Sequence, residues 1–377
     1  MVPPMNQSTE IQSVASDDWD VLVIGAGTAG CTAAATLINQ GYRTLIVDRS
    51  VFPRAKVCGG CLSPIGVDGL RSCGLGDALS RSEPRPINRI EVFTRGYSAC
   101  LPLPDYEVID RYELDQNLIN QVKSMGGCFL DSTSASILPD DSVMISSGSE
   151  SASLVAKAVV VADGLHGTSL ADRPEFNWVL ESGSHIGIGA TVEHLDSGGV
   201  NDRIRMFTSK SGYLGIAPLN SGASILAAAL CPNMVKTNGK TGALNQILEN
   251  SPVNPDALDS IDWHGVSQLR RFRKKAASGR VLVLGDAMRY IEPFTGEGMS
   301  WGIHCARHIV PFVRDIIDER SIDDAWERCC TRVLRRRHLT CRLVGAAIRR
   351  PALLKPLLRL GSSKPFGPWL SRQVCWN

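Results

Sequence analysis

The chain has 377 residues, of which 44% are hydrophobic and 21% charged, and its formal net charge is +2. This length accommodates two domains, or one large domain with an insertion, and the composition is that of an ordinary globular protein. A net charge this small indicates no particular class of partner, and the distribution of the charges is more informative. The first 18 residues lack the regions of a signal peptide, and the twelve cysteines are spread along the chain, so we expect reduced thiols in the cytoplasm.

The chain opens on a strand–helix–strand pattern. Residues 20–24 (DVLVI) form a short apolar strand, residues 31–39 a helix of small side chains, and residues 44–48 (TLIVD) a second apolar strand. The first strand and the helix are joined by the sequence GAGTAG at residues 25–30. This arrangement predicts a βαβ unit that binds a dinucleotide.

Each glycine of that motif has a physical role. Gly25 permits the tight turn that leaves the strand, Gly27 lets the backbone approach a pyrophosphate, and Gly30 lets helix and strand pack closely. The helix N-terminus offers free N–H groups to the phosphates. Asp48 ends the second strand 18 residues after Gly30, where its carboxylate would bind a ribose. The motif alone does not distinguish NAD from FAD.

The middle of the chain predicts a second, β-rich domain. Residues 49–75 are a loop region rich in Gly, Pro and Cys, residues 111–125 predict a helix, and the strand at 158–162 ends in Asp163-Gly164. From about 171 to 270, short β-like runs alternate with turns, which predicts a mostly antiparallel sheet.

A strand at residues 280–284 then leads into Gly285-Asp286, followed by Pro293 and by Gly296-Glu297-Gly298-Met299. An acid at a strand end, followed by glycines that open a helix, would place Asp286 on a ribityl hydroxyl. The helix N-terminus near Gly298 would stabilise negative charge on a reduced isoalloxazine. This second site favours FAD over NAD.

The C-terminal segment is basic and helical. There is no Asp or Glu after Glu327, whereas Arg335-Arg336-Arg337, Arg349-Arg350, Lys355 and Arg359 alternate with apolar residues. Such a segment either lies on an anionic membrane surface or packs, solvated, over the nucleotide domain. No aromatic platform accompanies the charges, so we do not expect nucleic-acid binding.

Together, the motifs at 25–30, 163–164 and 285–286 resemble those of the superfamily that contains para-hydroxybenzoate hydroxylase-type (group A flavoprotein) monooxygenases and geranylgeranyl reductases. The resemblance covers about residues 18–320. It implies an α/β fold: a Rossmann-like FAD-binding domain (three-layer ββα), an inserted, mostly antiparallel β-sheet substrate domain, and a helical C-terminus. The implied boundaries are FAD binding at 18–80, 105–170 and 275–325, substrate binding at 81–104 and 171–274, a basic helical segment at 326–377 and a flexible N-terminus at 1–17.

The same resemblance implies roles for individual residues. Asp48 would bind the adenosine ribose, Arg111 would lie along the pyrophosphate, and Asp163 would support both FAD and the nicotinamide donor. The residues predicted to contact the cofactor are Gly25, Gly27, Gly30, Asp48, Arg49, Arg54, Cys58, Gly59, Gly60, Arg111, Asp163, Gly164, Gly285, Asp286, Pro293, Gly296, Gly298 and Met299. The family pattern continues from Asp-Gly toward a Ser and an Arg, but here the next arginine is Arg173, which leaves donor binding there open.

The loop FPRAKVCGGCLSP at residues 52–64 resembles the segment that runs beside the isoalloxazine in the geranylgeranyl reductase-like branch. Two other interpretations of its Cys58 and Cys61 are a redox dithiol and half of a zinc site. No second C-x-x-C and no spaced pair of histidines completes a zinc site.

With no second G-x-G-x-x-G, any NAD(P)H would bind transiently at the surface. We favour an NAD(P)H-dependent monooxygenase that hydroxylates an apolar or aromatic molecule, such as a polyketide or an isoprenoid. A geranylgeranyl reductase-like alkene reductase and a non-catalytic flavin-binding protein are the alternatives. The sequence identifies no catalytic residue. Four aromatic side chains are candidates for the substrate cavity, although each is also an ordinary core residue: Tyr213, His185, Trp301 and His304.

Overall fold

The protein is described here from a computed structural model, in residues 7–193, 195, 202–266, 268–291, 294, 296–322, 324–348 and 351–361. The predicted site residue Pro293 lies outside the described residues, as do residues 349–350 and 362–377 of the basic C-terminal segment.

The helices are α1 (Gln7–Ala15), α2 (Thr28–Ile38), α3 (Pro64–Ser72), α4 (Gly76–Arg81), α5 (Arg111–Ser124), α6 (Pro232–Leu248), α7 (Gly298–Ala306), α8 (Val310–Ile317), α9 (Ala325–Ile348) and α10 (Pro351–Gly361). The strands are β1 (Trp19–Ile24), β2 (Thr44–Val47), β3 (Cys61–Leu62), β4 (Arg85–Thr94), β5 (Tyr97–Val108), β6 (Cys128–Leu130), β7 (Ser134–Ile137), β8 (Val143–Ser147), β9 (Glu150–Leu154), β10 (Ala156–Val161), β11 (Trp178–Leu180), β12 (Ile186–Val192), β13 (Ile204–Ser209), β14 (Gly212–Pro218), β15 (Ser224–Leu230), β16 (His264–Val266), β17 (Arg271–Arg273), β18 (Ala277–Ser278), β19 (Val281–Val283) and β20 (Arg289–Tyr290).

The first part of the fold is a set of layers around a six-stranded sheet with the strand order β18-β19-β10-β1-β2-β6. Its strands pair in parallel except for β18, and Ile24 aligns with both Val47 and Val161. The central strands are apolar on both faces because both are covered. Helices such as α2, α5 and α7 pack on one face, and the antiparallel β7-β8-β9 sheet packs on the other. The predicted three-layer ββα arrangement is therefore confirmed.

The second system is an eight-stranded sheet with the order β16-β12-β15-β14-β13-β4-β5-β3. Neighbouring strands run antiparallel except for the β13–β4 pair. Alternate side chains face opposite sides, as a period of two requires: Phe207 and Ile216 pack toward α6, whereas Met206 and Ala217 pack toward α9 and α10. The predicted mostly antiparallel sheet is confirmed.

Three helices differ from the sequence expectations. Helix α1 lies in the segment expected to be flexible, and it buries Ile11 and Val14, which are three residues apart on one face. Helix α3 lies in the loop region 49–75, and α6 interrupts the β-rich stretch. Gly239 breaks α6, and the buried apolar residues of this helix all lie in its last turns. The helical repeat of apolar residues therefore extends over too few residues to be recognised in the sequence.

The described part of the basic C-terminal segment forms α9 and α10. Most of the buried side chains of α9 pack in the helix layer of the six-stranded sheet, whereas Ile348 and the buried leucines of α10 pack on the eight-stranded sheet. Within the described part of the chain, no helix is both long enough and apolar enough to cross a membrane.

Candidate functional site

Four predicted features meet along one edge of the six-stranded sheet. The glycine turn follows β1, Asp48 follows β2, Asp163 lies beyond β10, and Asp286 lies beyond β19. These four strands are adjacent in the order β19-β10-β1-β2. Because parallel strands end at the same edge, the features form one row, in the crevice where open α/β sheets bind their ligands.

The glycine turn is closed by backbone contacts that leave no room for side chains. Gly25 has a φ of +104°, and a Cβ added there would lie 2.5 Å from the carbonyl oxygen of Ala162. A Cβ on Gly30 would lie 1.9 Å from the carbonyl oxygen of Gly25. A Cβ on Gly27 would instead point toward three cationic groups, 3.5 Å from the Nζ of Lys56 and 3.6 Å from Nη2 of Arg111. Because Gly27 has no side chain, a space remains between its backbone and this cluster of cations.

The third cation of this cluster is Arg54, which bridges two carboxylates. Its Nη1 lies 3.1 Å from Asp115 Oδ2, and its Nη2 lies 3.5 Å from Asp48 Oδ2. Arg111 donates to both oxygens of Asp115, at 2.9 and 2.7 Å. Burial by itself would lower the pKa of Arg111, but Asp115 raises it well above its usual range.

Lys56 has no such carboxylate in hydrogen-bonding contact among the described ion pairs. Its pKa is lowered by burial and by the neighbouring Arg111 and Arg54. A recessed lysine beside two arginines is stabilised by a polyanion, since each added negative charge favours the protonated form. The residues present therefore fit a pyrophosphate held between the glycine turn and the Lys56–Arg54–Arg111 cluster.

Asp48 braces the glycine turn as well as facing the cavity. Its Oδ2 accepts a hydrogen bond of 2.9 Å from the backbone N–H of Ala26, and its Oδ1 accepts one of 2.9 Å from that of Ser50. Its contact with a ribose stays a prediction.

The segment after Asp163 departs from the family pattern in a way the geometry explains. Ser169 donates from its hydroxyl to Asp163 Oδ2 at 2.7 Å, so a serine shifted along the chain still reaches this carboxylate. Arg173 instead pairs with Asp141 and Glu175. Asp163 Oδ1 is buried without a hydrogen-bond partner in the described part of the chain, and burial raises the pKa of this carboxyl despite the bonds from Ser169. The carboxyl packs closely against its own turn, since a Cβ added to Gly167 would lie 2.1 Å from Oδ1.

Asp286 faces the same cavity from the end of β19. Burial raises its pKa, and this effect is opposed by Lys56, Arg111 and Arg271. Gly285 precedes it and packs against Ala29 of α2, so the absence of a side chain at Gly285 allows α2 to approach closely.

All these groups border one cavity of about 970 Å³. The predicted residues that line it are Asp48, Arg49, Arg54, Cys58, Gly59, Arg111, Asp163, Gly164, Asp286, Gly296, Gly298 and Met299. Gly25, Gly27, Gly30, Gly60 and Gly285 shape the backbone behind this lining. We call the part bordered by these residues the cofactor half.

The rest of the cavity, the substrate half, is apolar. It is lined by side chains of the eight-stranded sheet and of α9 and α10, among them Ile90, Val92, Leu101, Ile204, Met206, Ala217, Val344, Leu354 and Leu358. Tyr213 lines it too, with its ring edge-on to Phe294 at 5.3 Å between centroids. The other aromatic candidates lie elsewhere: His185 and Trp301 are buried, and burial lowers the pKa of His304 to about 4.

The Cys58–Cys61 loop connects the two halves, because β3 pairs with β5 at the edge of the substrate sheet. Both cysteines are free. Burial, with a smaller contribution from Cys58, raises the pKa of Cys61 to about 12. Among the described residues, no group of three or more His, Cys, Asp or Glu is placed to hold a metal ion.

Sequence reasoning missed four charged residues at or beside the site. Lys56 stands in the quoted loop motif, and Asp115 follows Arg111 by four residues on α5, so both left a local signal. Glu297 and Arg337 lie in segments that the sequence analysis quoted, but nothing in the sequence indicated that they pair, 40 residues apart. They form a buried ion pair of 2.7 Å that ties the start of α7 to α9, so Arg337 is not part of a solvated basic face.

Fold and site together define an oxidoreductase that binds a dinucleotide cofactor beside an apolar cavity. The sequence profile of the FAD binding domain family matches residues 18–311, and the chain belongs to this family of FAD-dependent oxidoreductases. It is similar to the menaquinone reductase of Mycobacterium tuberculosis, with 23% identity over 343 residues that cover 82% of this chain and 79% of the relative. A squalene epoxidase of Gibberella zeae is 33% identical over 100 residues, or 26% of this chain and 20% of that protein.

Among solved structures, a geranylgeranyl bacteriochlorophyll reductase-like protein of Thermoplasma acidophilum superposes with a TM-score of 0.77 at 18% identity. The match covers 96% of this chain and 97% of the other. At that identity the likeness concerns the fold alone.

Proposed function

We propose that this protein uses NAD(P)H-reduced FAD to reduce a carbon–carbon double bond of a long, lipophilic, isoprenoid-type substrate. The observation that carries the proposal is the single cavity whose charged cofactor half continues into an apolar substrate half. A cavity of this kind holds a flavin and an extended hydrocarbon side by side. When bound, FAD supplies the hydride transfer, so few protein acids or bases are needed.

The named relatives support the substrate class. Menaquinone and squalene share a chain of repeated alkenes, and both appear in the names of sequence relatives of this protein. Similarity to the menaquinone reductase extends over most of the chain, whereas similarity to squalene epoxidase covers about a quarter of it. This difference, together with the reductase-like loop at residues 52–64, moves our preference from the hydroxylation favoured in the sequence analysis to reduction.

The chain's own residues would bind the cofactor, orient the substrate and exclude water. Arg54, Lys56 and Arg111 would neutralise the pyrophosphate, and the N-terminus of α7 would face the flavin. The apolar walls would keep the alkene in register with the ring and keep bulk water from the transferred hydride.

The electron donor would approach the exposed end of the cofactor half. Arg49 donates to the carbonyl oxygen of His166 at 3.0 Å, and Arg271 stacks on Trp178 at 4.5 Å. Burial, then Arg271 and Arg49, lower the pKa of His166. This positive surface favours an anionic nucleotide such as NAD(P)H. Peripheral membrane contact through the basic C-terminal helices belongs to the same proposal, because a long alkene dissolves in a bilayer and not in water.

The test is anaerobic reduction of the purified yellow protein with NADPH or NADH, followed by mixing with menaquinone or squalene in detergent. We expect flavin reoxidation without oxygen and a product that has gained two hydrogen atoms at a carbon–carbon double bond. Because the quinone ring of menaquinone also takes up two electrons and two protons, its product is reoxidised in air before the mass is measured, which leaves only a saturated double bond as a gain of two hydrogen atoms. Heat-denatured protein and substrate-free protein are the controls. Reoxidation that needs oxygen, with a product that has gained one oxygen atom, would identify a monooxygenase instead.

Hydroxylation remains the second candidate because of the squalene epoxidase match. The non-catalytic alternative predicts a yellow protein that does not oxidise NAD(P)H with any of these substrates.

A further inference from the structure

Helices α9 and α10 expose large apolar side chains next to the substrate half. Leu339 is 59% exposed, Leu343 64% and Leu357 48%. Leu339 and Leu343 are one helical turn apart, so they form a stripe on one face of α9. Exposed leucines grouped in this way are typical of a contact surface.

Two of these three leucines also line the cavity. Leu343 of α9 and Leu357 of α10 border the substrate half, together with the buried Leu354 and Leu358. A side chain that is both exposed and part of the cavity wall lies at an opening. The substrate half therefore opens between α9 and α10, whereas Leu339 stands on the outer surface beside the opening.

The charges that α9 and α10 contribute around this opening are positive, and one of them, Arg342, has an acidic neighbour at 3.8 Å, Glu181. The exposed charged residues on the two helices include Arg335, Arg336, Arg342, Lys355 and Arg359. Lys355 and Arg359 lie over the ring of Tyr97, at 5.5 and 5.6 Å. No acidic residue follows Glu327 in the chain, so α9 and α10 themselves add an excess of positive charge to this surface.

We propose that the α9–α10 opening is a lateral portal that docks on an anionic phospholipid bilayer and admits a lipophilic substrate directly from the acyl-chain region. Leucines that enter the interface and cations that bind headgroups are the two features that hold an amphipathic surface on such a bilayer. The portal rests on the proposed function for the identity of the substrate, but docking and entry do not depend on which reaction follows.

A bilayer fits this surface better than a protein partner. An anionic bilayer offers negative headgroups beside an apolar interior, which matches a surface that combines exposed cations with exposed leucines. An opening that faces hydrocarbon also spares the substrate a passage through water.

Docking is tested by co-sedimentation with vesicles of phosphatidylcholine alone or with an equal part of phosphatidylglycerol. We expect tight binding only to the anionic vesicles, and a loss of about fivefold for each of Arg335→Gln and Arg336→Gln. Leu339→Glu and Leu343→Glu should each weaken binding by about tenfold or more. The matched controls are Val155→Glu and Lys210→Gln, which alter exposed residues of the β9–β10 link and the β13–β14 turn. Unchanged binding in the leucine variants, with intact flavin content, would overturn the docking surface.

Entry is tested with a fluorescent tetraene, cis-parinaric acid, whose emission is quenched by energy transfer to the oxidised flavin once it occupies the cavity. The probe is offered from anionic vesicles or from detergent micelles. We expect Leu339→Glu to slow entry from vesicles only, and Leu343→Glu to slow entry from both. No entry into the wild-type protein, or entry from micelles that is equal in the two variants, would overturn the portal. Because no turnover is measured, a failure of the proposed reaction leaves these results unaffected.

Discussion

The two halves of the cavity are built on opposite principles. In the cofactor half, short contiguous segments at the ends of parallel strands place glycines and charges, and Asp115, Arg111 and Arg54 lock one another in position. In the substrate half, the walls are apolar side chains of distant segments, such as Ile204, Ala217 and Leu354, with few polar groups to fix a pose.

This difference suggests what each half is selected to do. A charged cluster arranged before the ligand arrives costs little reorganisation, so it binds one cofactor tightly and in one orientation. An apolar wall binds a substrate by burying apolar surface, and this discriminates only weakly between substrates of different shape and length. The cofactor half would therefore tolerate substitution poorly, and the substrate half would tolerate changes that preserve volume.

The largest effect is expected at Gly27. The change Gly27→Val would place branched carbons against the Lys56–Arg111 cluster, the proposed pyrophosphate site, and should weaken FAD binding by about 3 kcal/mol or more. The measurement is flavin released on denaturation, relative to protein. Gly345→Val is the control, since a Cβ there meets no atom within 4 Å. Normal flavin content in the Gly27 variant would remove the basis for the pyrophosphate site.

A smaller effect with a distinctive pH dependence is expected at Lys56. Its pKa is lowered from the ordinary 10.5 in the cofactor-free protein, and a bound pyrophosphate should raise it again. FAD binding then takes up a proton, so FAD affinity should fall as pH rises through the interval between the two values. The change Lys56→Met should weaken binding by about 1.5–3 kcal/mol at neutral pH and abolish this dependence.

The control for Lys56 is Lys157→Met, which removes an exposed lysine paired with Asp20 at 2.7 Å. Titration of apoprotein with FAD at several pH values gives both quantities. An identical pH dependence in the Lys56 variant would assign the proton to another group.

In the substrate half, Ala217→Phe should separate the two functions. Ala217 is buried on β14 and lines the apolar wall, so a larger ring would occupy substrate volume and cost about 1–3 kcal/mol in substrate binding. FAD content should stay normal. The measurement is the KM for menaquinone beside the flavin content, and Ala171→Phe at an exposed position is the control. Loss of flavin together with substrate affinity would show that the halves are not independent.

The same contrast explains which parts of the site could be predicted from sequence. Gly25, Asp163 and Asp286 were found because a strand end, a turn and a helix start lie within a few consecutive residues. Ile204, Leu354 and Leu358 carry no motif, and they become neighbours only when α10 packs on the sheet. The family pattern after Asp163-Gly164 also gave too narrow a position for the serine, because Ser169 reaches the Asp163 carboxylate from a shifted position.

The smallest effect is expected in the loop that joins the halves, at Cys61. Cys61→Ser should leave NAD(P)H oxidation nearly unchanged, whereas Cys58→Ser should shift the flavin spectrum without removing a redox step. Thiol–disulfide exchange requires a thiolate, and Cys61, with a pKa of about 12, keeps its proton and donates from Sγ to the carbonyl oxygen of Gly59 at 3.3 Å. Cys58 is half-buried, lines the cavity and accepts from the backbone N–H of Gly60 at 3.4 Å, so the role expected for it beside the flavin ring would depend on its shape and polarity. The measurements are steady-state NAD(P)H oxidation for each variant and thiol titration before and after anaerobic reduction, with Cys100→Ser as the control at an exposed cysteine. Near-complete loss of turnover in both variants, together with two additional thiols on reduction, would show instead that the loop is a redox dithiol and that electrons pass through sulfur between the two halves.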